Sequence, residues 1–190
     1  MNVKISKLLI VIALLLCAHF VFAADSMEFD GAYIKMCNGD YIELQEKTVH
    51  SAKIIVEKQV PENAPLYAVI ESSMFSQAFN TPKQYYVADK AGMISIPANE
   101  FKGIAIKGQY NFKSFTLHPL VERRLKSNEV FYENSGPARK SRPFYIPGKM
   151  LNVRGKSLGS DAYYFQPRGN LARGEYVAWI GDSFWLFKIK

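Results

Sequence analysis

No stretch beyond residue 23 repeats apolar residues at helical spacing over the ten or so positions that a helix signature needs. Short runs rich in Val, Ile, Tyr and Phe take its place, at 32–36, 41–45, 52–57, 66–71, 84–88, 93–96, 103–106, 112–117, 130–133, 143–146, 150–153, 163–166, 176–180 and 184–189. Gly, Pro, Asn and Asp punctuate them at intervals that suit a sandwich or a barrel. The expected fold is therefore all-β: an antiparallel sandwich or barrel of about ten short strands. At most one short helix is expected, near 119–126, where Pro119 would take the first helical position.

The stretch before residue 24, MNVKISKLLIVIALLLCAHFVFA, follows a different rule. Lys4 and Lys7 precede an apolar run from Leu8 to Ala18, and Val21-Phe22-Ala23 offers a cleavage point. This order is that of a secretory signal peptide. The run is short for a membrane span, which needs about 20 apolar residues. Residues 1–23 are thus expected to be a signal peptide, with no transmembrane segment after its removal. Residues 24–190 are expected to form a single β-rich domain, or two subdomains meeting in a basic loop at 134–161.

Cleavage would remove Cys17 and leave Cys37 alone. No intramolecular disulfide is then available, which suits a bacterial periplasm or envelope better than a small disulfide-built animal domain. A solitary cysteine is expected to be a buried, reduced, dispensable hydrophobe. Loss of Lys4 and Lys7 lowers the formal net charge from +7 to a mild +5. No basic stripe with interleaved stacking aromatics marks a nucleic-acid partner. The positive charge that remains is concentrated in 134–161, which holds Arg139, Lys140, Arg142, Lys149, Arg154 and Lys156 against Asp161 alone. Its prolines and glycines read as a solvated loop or linker. Its charge would also suit an anionic envelope component such as a lipid head group or a wall phosphate.

Two hairpins are readable from their turns. Asn38-Gly39 suits a two-residue type I′ turn and would pair Met36 with Tyr41 and Ile34 with Glu43. Gly181-Asp182 would pair Trp179 with Phe184, Ala178 with Trp185, Val177 with Leu186 and Tyr176 with Phe187. The two units echo each other as Gly-x-Tyr, strand, glycine-containing turn and returning strand, a pattern that many hairpins share. In the second hairpin both faces are apolar: Val177, Trp179, Phe184 and Leu186 on one, Tyr176, Ala178, Ile180, Trp185, Phe187 and Ile189 on the other. A hairpin with one wet face alternates with polar residues. This one is expected to be covered on both sides, with Tyr176 and Trp185 in the core and Trp179 the more reachable tryptophan.

Leu171, Gly174 and Tyr176 in NLARGEY resemble a tyrosine corner, in which a tyrosine at the start of a late strand bonds back to upstream backbone. The resemblance implies an immunoglobulin-like or fibronectin-type C-terminal end. Gly31-Ala32-Tyr33 resembles the Gly-x-Trp of lipocalins, with Tyr in place of Trp, and implies a closed barrel carrying a hydrophobic ligand.

Catalytic patterns are sparse. Cys37 with His50 or His118 would make a nucleophile–base pair, yet Cys37 abuts a turn and not a helix N-terminus that would lower its pKa. No His-x-x-x-His or Cys-x-x-Cys pair, calcium loop or phosphate loop occurs. Glu71, Glu122 and Glu129 are the carboxylates available for glycoside chemistry. The expectation is a non-enzymatic exported β module, periplasmic or secreted, without metal or cofactor, that binds or scaffolds a protein, glycan or anionic envelope partner. Trp179 and the six basic residues of 134–161 are the candidate contacts. The alternatives are a secreted wall- or glycan-acting enzyme and the lipocalin-like carrier.

Overall fold

The structure, a computed structural model, describes residues 27–56, 81–87, 90–133, 136–138 and 143–190, with backbone alone at 136–138. The leader, the expected strand at 66–71 and the sites Arg139, Lys140 and Arg142 lie outside the described residues. The described strands are β1 (Gly31–Met36), β2 (Tyr41–Leu44), β3 (His50–Val56), β4 (Gln84–Tyr86), β5 (Ile94–Ile96), β6 (Phe101–Lys107), β7 (Thr116–Arg123), β8 (Glu129–Glu133), β9 (Gly136–Ala138), β10 (Phe144–Pro147), β11 (Val153–Ser157), β12 (Ala162–Pro167), β13 (Gly174–Ile180) and β14 (Ser183–Ile189). Among the described residues the helical content is one 3-10 turn, Phe112–Ser114.

Three sheets result. The first runs β11-β12-β6-β1-β2, the second β10-β7-β13-β14-β5 and the third β4-β3-β8-β9. All pairs are antiparallel except β14 with β5. The first and second sheets face each other over the main core. Ala32, Ile34, Ile104, Ile106 and Phe165 come from one side of it, and Leu117, Tyr176, Ala178, Trp185 and Phe187 from the other. Alternation along the strands sends Tyr33, Ala105 and Ala162 to the outer face of the first sheet. It sends Val177, Phe184 and Leu186 to the outer face of the second, where Val87, Val49, Met93 and Tyr145 cover them. The chain beyond β2 lies against β14, with the Lys47 N–H donating to Phe184 O at 2.7 Å. That contact closes one side of the sandwich. On the opposite side the chain crosses between sheets at 148–152, with Gly148 N–H on Pro119 O and Leu151 N–H on Leu117 O.

Several expectations are corrected. The stretch 119–126 is not a helix: β7 runs through Pro119 to Arg123, because 116–119 find ladder partners in β13 and 120–123 in β10. Pro119 is tolerated because its carbonyl, and so its absent N–H, faces Gly148 and not β13. The run 150–153 is one element too early, and the strand there is β11 at 153–157. The segment 134–161 is not a plain solvated loop, since β9, β10 and β11 lie in it.

The first hairpin is shifted by one residue from the expected register. Lys35 opposes Tyr41, Ile34 opposes Ile42 and Tyr33 opposes Glu43. Met36 N–H bonds Asp40 O, and Gly39, at φ +102°, takes the left-handed position of a three-residue turn. A single-residue slip swaps every side chain of a strand between faces. The observed register keeps Glu43 off the core face that the two-residue turn would have given it.

The closing hairpin has the expected register throughout, from Tyr176 opposite Phe187 to Trp179 opposite Phe184. Positive φ falls at Gly181 (+58°) and not at Asp182, as a type II′ turn requires.

Candidate functional site

Trp185 is fully buried opposite Ala178, whose small side chain leaves room for the indole. Trp179 is half-buried on the other face. Phe184 stacks on it at 4.5 Å, Tyr85 meets it edge-on at 4.8 Å and its indole N–H donates to Gly181 O at 2.6 Å. Both aromatic faces of the hairpin are thus occupied by the chain itself. His118 lies 6.2 Å from the Trp179 ring and places Nδ1 2.8 Å from Gly148 O, beside the exposed Lys149. Arg154 and Lys156 are exposed on β11, in the other sheet. The described basic residues are therefore split between the turn after β10 and the edge of the first sheet.

That edge borders an aromatic cleft of about 550 Å³. One wall is the 3-10 segment before β7, which brings Tyr110, Asn111, Phe112, Lys113 and Phe115. The other is the inner face of β11 and β12, which brings Val153, Gly155, Tyr163 and Phe165. The Ser114 hydroxyl holds the turn closed by donating to Asn111 O at 2.8 Å. Phe112 stacks on Tyr163 at 5.2 Å and 19°, and Phe115 stacks on Phe165 at 3.8 Å and 13°. Phe115 and Phe165 are buried, while Tyr110, Phe112 and Tyr163 remain half-exposed. Gly155 makes room for the Tyr163 ring, which lies over it: a Cβ there would fall 2.6 Å from Tyr163 Cε1. Sequence reading missed this cleft. Its signal was the aromatic spacing of 110–115 and the alternation at 163–165, but nothing local announces that the two segments meet.

Cys37 is exposed and free, not buried. The three-residue turn explains the difference, since it makes Cys37 a loop residue with its N–H on Glu100 O at 2.8 Å. The thiol borders a second cavity of about 310 Å³ with Lys102, Gln166, Arg168 and Leu171. Neither described histidine lines that cavity. His50 stacks on Tyr86 at 5.3 Å and His118 is held by Gly148. Across the sheet, Lys35 donates to the Tyr41 hydroxyl at 2.8 Å and sits 5.6 Å from the centre of the Tyr164 ring. Burial, with smaller contributions from Tyr41 and Cys37, pushes the Tyr164 hydroxyl up to about 12.

The described carboxylate candidates are engaged in ion pairs. Glu122 lies 3.2 Å from the Arg124 guanidinium. Glu129 is buried and accepts from Arg123 at 2.8 Å and from Lys126 N–H at 3.0 Å. Burial alone would raise its pKa, but these two partners outweigh it and hold the carboxyl below its usual value. That is the reverse of the raised pKa a general acid needs. Glu71 lies outside the described residues. Among the described residues no three His, Cys, Asp or Glu side chains gather as metal ligands, and no helix is long and apolar enough to cross a membrane. Comparison with protein-family models, with curated proteins and with solved structures gives no match to this chain.

Proposed function

We propose that this protein is a non-enzymatic, immunoglobulin-like β module of the bacterial envelope that holds a partner in the aromatic cleft beside β11. The cleft carries the reading. Half-exposed Tyr110, Phe112 and Tyr163 line an open groove with Asn111 and Lys113 at its rim. Aromatic rings with polar groups at the margin supply contact area at low entropic cost.

The strand order supports the immunoglobulin-like part. Lettered by sequence, β11-β12-β6-β1 reads D-E-B-A and β10-β7-β13-β14 reads C′-C-F-G, the sheets of that sandwich. The Tyr176 hydroxyl donates to Ala172 O at 2.8 Å, at the corner before the F-like strand. Ala178 occupies the place of the second cysteine of antibody domains, two residues after the corner tyrosine. The buried Trp185 fills that part of the core instead.

The leader supports export, and loss of Met1–Ala23 from protein recovered in the envelope fraction is the expected result. The test of binding is a photo-crosslinking residue placed at Phe112 and, as control, at Glu43 on the far face of the first sheet. An adduct in envelope extracts is expected from position 112 alone. Equal adducts at both positions, or none at 112, would refute the reading. The carrier alternative is less favoured, because Trp185, Phe187, Phe165 and Leu117 fill the space between the sheets where a lumen would lie.

A further inference from the structure

We infer that the cleft receives an extended strand of a partner protein, added to the edge of the first sheet along β11, with apolar and acidic side chains in alternation. This rests on the cleft being the binding site. The hydrogen-bond phase of β11 supplies the first argument. Asn152 O accepts from Arg168 N–H at 3.0 Å, and Leu158 N–H donates to Ala162 O at 2.9 Å. In an antiparallel ladder bonded positions alternate, so Arg154 and Lys156 turn their N–H and C=O groups toward β12. Val153, Gly155 and Ser157 turn theirs outward, and no strand among the described residues pairs with that side. The row spans about 17 Å, room for a short added strand.

The side chains supply the second argument. Gly155 stands opposite Phe165 on the inner face, so an added strand would place every second side chain beside Gly155 and against Phe112 and the Tyr163 ring that covers that glycine. Its other side chains would lie on the outer face beside Arg154 and Lys156, which oppose Gln166 and Tyr164. Apolar residues suit the first set and carboxylates the second. The same two cations argue against a second copy of this chain, since β11 paired with itself would bring like charges together. An edge strand that is short and basic is also protected from indiscriminate pairing.

The experiment uses a short fluorescein-labelled peptide alternating Glu with Val and Phe. Controls are the same peptide with Lys for Glu, and the same peptide N-methylated on alternate residues. Anisotropy reads affinity, and amide hydrogen exchange reads the edge. The Glu peptide is expected to bind and to protect the amides of Val153, Gly155 and Ser157. N-methylation or Lys for Glu should abolish binding, and Arg154→Glu with Lys156→Glu should weaken it about tenfold or more. Binding that survives N-methylation, or that leaves those amides unprotected, would overturn strand addition. So would failure of the peptide to bind while position 112 crosslinks a partner, or a soluble oligosaccharide that occupies the cleft in its place. Each of these leaves the cleft itself standing as the site. Absence of a crosslink at position 112 would remove both readings.

Discussion

Two tyrosines make the same local hydrogen bond in the two facing sheets, Tyr33 on the outer face of the first and Tyr176 in the core. The Tyr33 hydroxyl donates to Phe29 O at 2.7 Å, and the Tyr176 hydroxyl donates to Ala172 O at 2.8 Å, each four residues back along its own chain. Each follows a glycine two positions earlier whose φ other residues rarely adopt, +154° at Gly31 and +158° at Gly174. The Gly-x-Tyr echo seen in the sequence is therefore a repeated hydrogen bond and not only a shared composition. Tyr33→Phe and Tyr176→Phe should each cost about 1 kcal/mol in urea unfolding, the net worth of a typical hydrogen bond. Two values near zero would make the echo decorative. Glu129 gives a pH-dependent effect. Its folded-state pKa is depressed, so the stability it contributes is present above the unfolded value near 4.5 and is lost as pH falls through the folded value. Unfolding midpoints from pH 7 down to pH 3 should therefore fall more steeply for the wild type than for Glu129→Gln, in which that proton uptake is removed. Parallel curves would show that the Arg123–Glu129 pair contributes nothing.

At the scale of elements, the legible parts were those whose geometry is set locally. Gly181-Asp182 fixes a two-residue turn, and the register of β13 on β14 follows from it. Asn38-Gly39 also signals a two-residue turn, but the chain spends three residues, Cys37 to Gly39, on it, which shifts β2 by one and carries Cys37 into solvent. The strand through Pro119 was illegible for another reason. Its helix-like composition is overridden by ladders from β13 and β10, partners far away in sequence. The cleft shares that difficulty, since Phe112 and Tyr163 meet only once both sheets exist. Close packing between neighbouring strands is equally hidden in sequence, and Gly103 on β6 shows it. A Cβ there would fall 2.5 Å from the Tyr164 hydroxyl on β12, which donates to Lys102 O at 2.7 Å. Gly103→Ala should destabilise by about 1–3 kcal/mol, the usual range for overpacking. In a Tyr164→Leu background most of that cost should vanish, because the ring that obstructs the methyl is gone. Equal costs in both backgrounds would place the strain elsewhere.

The whole molecule is organised around β14, which serves two cores at once. Its inner face gives Trp185, Phe187 and Ile189 to the space between the first and second sheets. Its outer face gives Phe184 and Leu186 to the layer under Val87, Met93 and Tyr145. This is why the closing stretch of the sequence is apolar on both sides: an edge hairpin would need one wet face, and a middle layer needs none. The two tryptophans lie on opposite sides of this layer and should respond differently to loss. Trp185 meets Tyr110 edge-on at 5.9 Å and is 1% exposed, so Trp185→Ala opens a cavity between the principal sheets and should cost about 3–5 kcal/mol. That is a large share of the roughly 5–15 kcal/mol that holds a domain folded. Trp179 is half-exposed and rests on Phe184 and Tyr85, neighbours that can close over a smaller side chain. Trp179→Ala should cost less, about 1–2 kcal/mol, in the ordinary range for single substitutions. Denaturation of both variants gives the ranking, and iodide quenching tests it independently: fluorescence that remains in Trp185→Ala should be quenched and that in Trp179→Ala protected. The reverse pattern would mean that the hairpin presents its other face to the main core, and with it that β11 and the aromatic cleft flank a different surface of the sandwich.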